Sequence, residues 1–472
     1  MNFNSIITRY TTKFIGTTFL VLNIFSIAYF LEIPQVAIWG VANSLVYLFS
    51  LFSNLTYNQF IDKFFPIYSD SKRQYYLYKF MKTISFLTGF WFLIIFLLQK
   101  INYFAQYNID NLLYLNIMIT FLVTTETSIE LLSKYYLAIK KIIYLDISDF
   151  ILSKFIRFFI FLFLLVNGYS VYYLLFTNLI IRFTFLLILI HNIESNLYIS
   201  LKKIFFSKVK KNNFKFFGYT FSAYSIKILH TSFLNFAFLI STQFLSNQDV
   251  ATFSLAILTI NNSRPLISIL SSLLSPILAS DAKKDTSSDK VISNSFIVNT
   301  RSIGIIVVAF IIFSQIEIFN LFVSEKYGDN FIFIVSFSIL LSSISSLYIP
   351  MFSRILYSGY EKDLLIFTSI NYLLTISIML IFKNYVDFLA SYLIFELFNF
   401  IFSRYLFRSI QNKFFKLKFG KSFPIIFIYY VLILLGLINF STSNYIAGFM
   451  LIVIVLDLKI VFKIVNDFRI RN

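Results

Sequence analysis

Long apolar runs alternate with short polar connections along the whole chain. Fourteen runs are long enough to cross a bilayer: 12–32, 36–58, 79–99, 111–133, 145–166, 169–191, 217–244, 250–279, 295–316, 331–353, 364–382, 385–403, 422–439 and 444–462. About 20 mostly apolar residues suffice for one helical crossing. None of the runs shows the period-two alternation of a membrane barrel, and in lipid a helix satisfies its own backbone groups. The run 36–58 is diluted by Asn43 and several Ser, while 145–166 and 250–279 carry charge but are too apolar to be connections. The run 12–32 lacks a small-residue cleavage site and is followed by many more spans, so it reads as a retained span. The longest polar connections are 59–78, 192–216, 280–294 and 404–421, which leaves no room for a sizeable soluble domain. The pattern predicts an all-α polytopic membrane protein of about 14 transmembrane helices.

Composition agrees. Of 472 residues, 58% are hydrophobic and 13% charged, against roughly 25% charged in soluble proteins. There is no Cys and there are only 2 His. Disulfide frameworks and Cys- or His-based metal centres are therefore excluded, and no cofactor is expected. The net charge of +18 would point to nucleic acid in a soluble protein. Its distribution points elsewhere. With the N-terminus in the cytoplasm, 32 of the 40 Lys+Arg fall on the cytoplasmic side. Only Lys100, Lys326 and Lys383 fall outside. This asymmetry predicts both termini inside and accounts for most of the charge without nucleic acid.

A long-range repeat runs through the spans. The segment Leu31 to Ala42 aligns with Leu245 to Ala256 at an offset of 214 residues, matching Leu, Val, Ala and Ala and setting Trp39 against Phe253. Ser133-Lys134 aligns with Ser353-Arg354, and Tyr173-Leu174-Leu175-Phe176-Thr177 with Tyr392-Leu393-Ile394-Phe395-Glu396, at nearly the same offset. Six spans separate the copies, so both have one orientation. The expectation is two parallel six-helix bundles about an axis along the membrane normal, enclosing a central cleft. The divisions expected are 1–203, 204–421, and two extra helices with a tail over 422–472.

Charges inside the spans narrow the search, because a charge at mid-bilayer costs about 2.5–3.5 kcal/mol even on insertion scales and faces protein or water. In the fifth span Asp146, Asp149, Ser153 and Arg157 follow i, i+3, i+7, i+11 spacing. At about 100° per residue they form one stripe, with Lys154 on its flank. The stripe is either the anion-binding wall of a cleft or a packing seam in which Asp149 and Arg157 meet through Ser153. The sixth span carries Arg182, which either binds a ligand or pairs with Asp149 or Glu126. The eighth carries Asn261, Asn262 and Arg264 just before Pro265, whose missing N–H predicts a kink. A polar kink of this kind is how broken transporter helices build a site. Lys227 and His230 share a face of the seventh span; Lys227 either lines the cleft or snorkels to headgroups. The candidate substrate-binding set is therefore Arg264, Arg157, Lys154, Arg182, Lys227, Asn261 and Asn262, a cationic set suited to phosphate. Glu126, Asp149, Glu396 and His230 are candidates for ion coupling; the structural alternative pairs Glu130 with Lys134 and Glu396 with a nearby Arg.

These features resemble a family, the polysaccharide-export branch of the superfamily of multidrug, oligosaccharide-lipid and polysaccharide exporters. The segment Ile33-Pro34-Gln35-Val36-Ala37-Ile38-Trp39-Gly40-Val41-Ala42 is similar to the family's outer loop between helices 1 and 2, and Asn247 to Ala256 is similar to its second copy. Leu137-Ala138-Ile139-Lys140-Lys141 and Leu356-Tyr357-Ser358-Gly359-Tyr360-Glu361-Lys362 resemble the turns after helices 4 and 10, and Leu273-Leu274-Ser275-Pro276-Ile277-Leu278-Ala279 the end of helix 8. The first Gly of both outer loops is absent, and Asn235-Phe236 stands where many relatives carry Asp-Arg. The resemblance implies a flippase that moves polyprenyl-diphosphate-linked oligosaccharide repeat units (O-antigen, capsule or exopolysaccharide) to the outer leaflet of the bacterial plasma membrane. It implies membrane lipids, a coupling ion (H+ or Na+) and a polysaccharide polymerase complex as partners, and no covalent chemistry. Two alternatives stay open: a membrane-embedded polymerase or glycosyltransferase, which needs a larger extramembrane loop, and a cation-coupled small-solute exporter, for which carboxylates suit the cavity better than cations.

Overall fold

A computed structural model describes residues 3–65, 68–100, 112–139, 141–193, 217–262, 360–381, 394–399 and 401–403, with 326, 327, 355 and 406. Every regular element among them is helical. In chain order these are α1 (Phe3–Phe30), α2 (Ile33–Ser53), α3 (Tyr57–Phe64), α4 (Asp70–Lys100), α5 (Leu112–Ala138), α6 (Ile142–Ser148), a π-helical segment (Asp149–Ile156), α7 (Arg157–Val166), α8 (Val171–His191) and α9 (Phe217–Ser241). They are followed by α10 (247–262), α11 (Glu361–Ile381) and α12 (Ile394–Ser403). Six of the described helices are long and apolar enough to cross a membrane. The protein is a multi-pass helical membrane protein. α6, the π segment and α7 run on without a break and together cover the fifth predicted span.

The first seven predicted spans each have a helix in register. The structure moves some of their ends. α4 begins at Asp70, nine residues before the apolar run, with an acid in its first turn and Lys100 in its last, both favourable to the helix dipole. The second predicted span ends at Ser53; a turn through Leu55, at φ 43, leads into the separate short helix α3. α2 opens with Pro34 in its first turn, where no N–H is required. Gly168, at φ 72, turns the chain from α7 to α8, and the Tyr169 N–H donates to the Leu164 carbonyl at 3.1 Å. Predicted spans 295–316, 331–353, 422–439 and 444–462, most of 250–279, and the boundaries at 203/204 and 421/422 lie outside the described residues.

Contacts group the chain into two compact units, Ile15–Ser254 and Met1–Phe14 with Leu255–Asn472. In the first, α5 is the central helix, packed against α2, α3, α4 and α8. Phe65, Leu77, Leu132, Tyr136, Phe185 and Leu189 form part of its core. Since lipid is as apolar as Leu, packing and interhelical hydrogen bonds hold such helices together. Tyr136 Oη donates to the Leu189 carbonyl at 2.8 Å, Thr88 and Thr124 share a 2.6 Å hydrogen bond, and Trp91 Nε1 donates to Ser53 Oγ. One close helix crossing in this unit sets Gly40 of α2 against Ser254 of α10. A Cβ at Gly40 would collide with the Ser254 side chain, and Ser254 Oγ lies 3.4 Å from the Val36 carbonyl. Residues 40 and 254 are themselves 214 apart, the offset of the repeat.

In the second unit, α11 and α12 face each other through buried polar groups. Asn371 Nδ2 donates to the Phe395 carbonyl at 3.0 Å and to Asn399 Oδ1 at 3.1 Å, and Glu396 and Ser403 are fully buried.

Candidate functional site

The charged residues of the fourth, fifth and sixth spans meet inside the first unit. Arg182 of α8 grips Glu126 of α5 with two nitrogens, Nε and Nη2, one on each carboxylate oxygen. Its Nη1 donates to Ser153 Oγ at 2.8 Å and lies 3.6 Å from Asp149 Oδ1. The other oxygen of Asp149 is 3.2 Å from Lys154 Nζ. Glu126, Asp149, Lys154 and Arg182 thus form a linked set of two cations and two carboxylates, cross-linking α5, the π segment and α8.

The π segment decides who pairs with whom. Its hydrogen bonds run i→i+5, so residues five apart stack along one face. Asp149 and Lys154 are five apart and pair. In an α-helix they would stand about 140° apart. The stripe expected from α-helical spacing is corrected accordingly: Ser153 takes its hydrogen bond from Arg182, not from Arg157. Lys154, only 8% exposed, also needs room. Gly16 of α1 provides it: a Cβ there would lie 3.0 Å from Lys154 Nζ and closer still to its aliphatic stem.

Arg157 stands one residue past the π segment; it feels the charges of Arg182, Glu126 and Asp149 but shares no hydrogen bond or ion pair with them. Its Nη1 donates to Asn178 Oδ1 of α8 at 3.3 Å, and its guanidinium lies 5.4 Å from the Phe161 ring centroid. Its Nε is buried without a hydrogen-bond partner. No carboxylate approaches it to ion-pair distance among the described residues, in contrast to Arg182 and Lys154.

A second node lies nearer the α5 C-terminus. Glu130 accepts from Asn54 Nδ2 at 2.9 Å, Asn58 Nδ2 at 2.7 Å and Lys227 Nζ at 2.7 Å. Lys134, the expected partner, also attracts Glu130 through its charge, and the longer-range contact with Lys227 ties α9 to α2, α3 and α5. Tyr224, three residues before Lys227, strengthens the tie by donating to the Leu51 and Phe52 carbonyls. His230 lies on α9 and Asn261 and Asn262 at the end of α10, all partly buried. Glu396 is fully buried on α12, away from this network in sequence and unit. Arg264 lies outside the described residues.

Sequence reasoning found every charged member of the two nodes. Of the neutral members it named Ser153 and missed Gly16, Asn54 and Asn58, and it missed Asn178 beside Arg157. One signal was available: Asp149 and Lys154 are opposite charges at i, i+5 in an apolar helix, a spacing that only a wider turn makes productive.

No protein-family profile and no curated protein matches the sequence. Solved structures do match in fold. A multidrug-resistance MATE-family transporter of the MOP superfamily, in an inward-facing conformation, superposes with TM-score 0.61 at 10% identity, over 87% of this chain and 100% of that one. The lipid II flippase MurJ, in an inward closed conformation, gives TM-score 0.57 at 13% identity, over 96% and 100%. A eukaryotic MATE transporter gives 0.50 at 12%, over 86% and 93%. The chain therefore has the fold these transporters share.

Proposed function

We propose that the protein is a flippase that carries polyprenyl-diphosphate-linked oligosaccharide repeat units from the cytoplasmic to the outer leaflet of a bacterial plasma membrane by alternating access. The observation that carries this reading is Arg157. A permanently charged guanidinium is held inside the spans with a buried, unused donor and, among the described residues, no carboxylate at ion-pair distance, beside a network in which Arg182 and Lys154 are each paired. Such a group is an anchor for an anion, and Arg matches the paired oxygens of a phosphate. Arg264, beside Asn261 and Asn262, is the second anchor. Lys154, Arg182 and Lys227, each already held by a carboxylate, shape the site around it. The shared fold supports transport: among the proteins with that fold, MurJ is described as a flippase of lipid II. Coupling to H+ or Na+ is assigned to the fully buried Glu396, to the partly buried Glu126 and Asp149, and to His230. A polysaccharide polymerase complex is the expected downstream partner.

The test is reconstitution into vesicles with labelled polyprenyl-diphosphate oligosaccharide, following its accessibility across the bilayer. Translocation without chain growth is expected. Arg157→Met reduces it at least about tenfold, the worth of a charge-assisted contact, while the protein remains inserted. Chain growth, or transport of cationic dyes alone, overturns the proposal.

A further inference from the structure

Resting on the reading just given, we propose that Asn178 is a positioning residue that keeps Arg157 available to the substrate's diphosphate by being neutral. Arg has five donors and no acceptor, so whatever orients it must present oxygen. Two residues in α8 present oxygen or aromatic surface to the two guanidinium groups of this region, Asn178 and Phe185, yet the two Arg are treated differently. Arg182 receives carboxylates, and its charge is balanced within the protein. Arg157 receives an amide oxygen at 3.3 Å, from a side chain only 6% exposed. That single neutral hydrogen bond fixes the plane of the guanidinium without cancelling its charge.

The other side of the guanidinium is set by Phe161. The ring is fully buried, with Arg157 over it at 5.4 Å. Trp39 of α2 meets the same ring edge-on at 5.7 Å, so Phe161 is itself held. A cation over an aromatic face is attracted to it but keeps its charge. Asn178 and Phe161, both neutral, are therefore the groups that orient Arg157 by contact, Glu126 and Asp149 acting on it only through their charge, and its Nε is left without a hydrogen-bond partner. A carboxylate at 178 would fit the same space and remove that freedom, making Arg157 a second Arg182.

The experiment titrates purified, detergent-solubilised protein with polyprenyl diphosphate and, in parallel, with the polyprenyl alcohol of the same chain length. Wild type binds the diphosphate in preference to the alcohol. Asn178→Asp lowers that preference at least about tenfold, as an internal ion pair competes for the guanidinium, and leaves alcohol affinity unchanged. A purely structural role for Asn178 would move both affinities together. Should Asn178→Asp fail to insert, Asn178→Ala carries the test: the untethered guanidinium loses orientation, and the preference falls about threefold. If Arg157→Met abolishes the preference while both Asn178 variants keep it, the role of Asn178 is overturned and the functional reading stands. If wild type shows no preference, both fall.

Discussion

A guanidinium cannot shed its proton inside a bilayer, so its neighbours alone determine what it does. Arg182 and Arg157 lie in the same region and differ in this respect only. Removing Arg182 leaves the partly buried Glu126 without the cation that grips it, while Asp149 keeps Lys154. Arg182→Met is expected to destabilise the protein by on the order of 3 kcal/mol, read from thermal unfolding in detergent, and pairing it with Glu126→Gln recovers most of the loss. Arg157→Met leaves no carboxylate unpaired and is expected to cost little stability while abolishing translocation. Stability unchanged by Arg182→Met would remove the distinction between them. At this scale the sequence was legible for charge and silent for neutrality. An Arg within an apolar run announces itself, because its burial is expensive. Asn178 has no periodicity or cost that singles it out from the other Asn of the chain, and only the geometry shows which of them an Arg needs.

Helices were the most legible elements and their local windings the least. Hydropathy places a span because the bilayer demands about 20 apolar residues whatever the packing. Whether a turn closes at i+4 or i+5 depends on a few tenths of an ångström per residue, which apolar composition does not record. The π segment falls on the one stretch of the fifth span where charges from three elements must meet, which is where such segments are commonly found. Crossings between helices are similarly hidden, since a notch needs only one small residue. Gly40→Ala places a methyl against Ser254 and is expected to lower stability by about 1–3 kcal/mol, the usual result of overpacking. The reciprocal change Ser254→Gly in the same chain should restore it, as measured by thermal unfolding. If the double variant is no more stable than Gly40→Ala, the crossing does not control the fit of α2 to α10.

For the whole molecule, the distribution of Lys and Arg makes the strongest claim. It predicts both termini in the cytoplasm, and the absence of Cys makes the prediction simple to check. A single Cys introduced at Ser170 should react with an impermeant thiol reagent added outside intact cells, and one at Ser69 should react only after the cells are opened. The reverse pattern overturns the assigned orientation. Membrane class and general architecture were legible because hydropathy and charge asymmetry act over the whole chain. Substrate was not, because one fold serves both a lipid-linked flippase and multidrug transporters at 10–13% identity. The Gly40–Ser254 crossing also bears on how such a chain arises. In a symmetric pair of separate half-length chains, this position would touch its own counterpart, and one codon would have to supply both the notch and the group that enters it. On the sequence expectation of two repeated halves, joining them in a single gene lifts that constraint. One copy is then free to become Gly and the other Ser, so the contact can be close and hydrogen-bonded together, which two identical residues on the axis could not achieve.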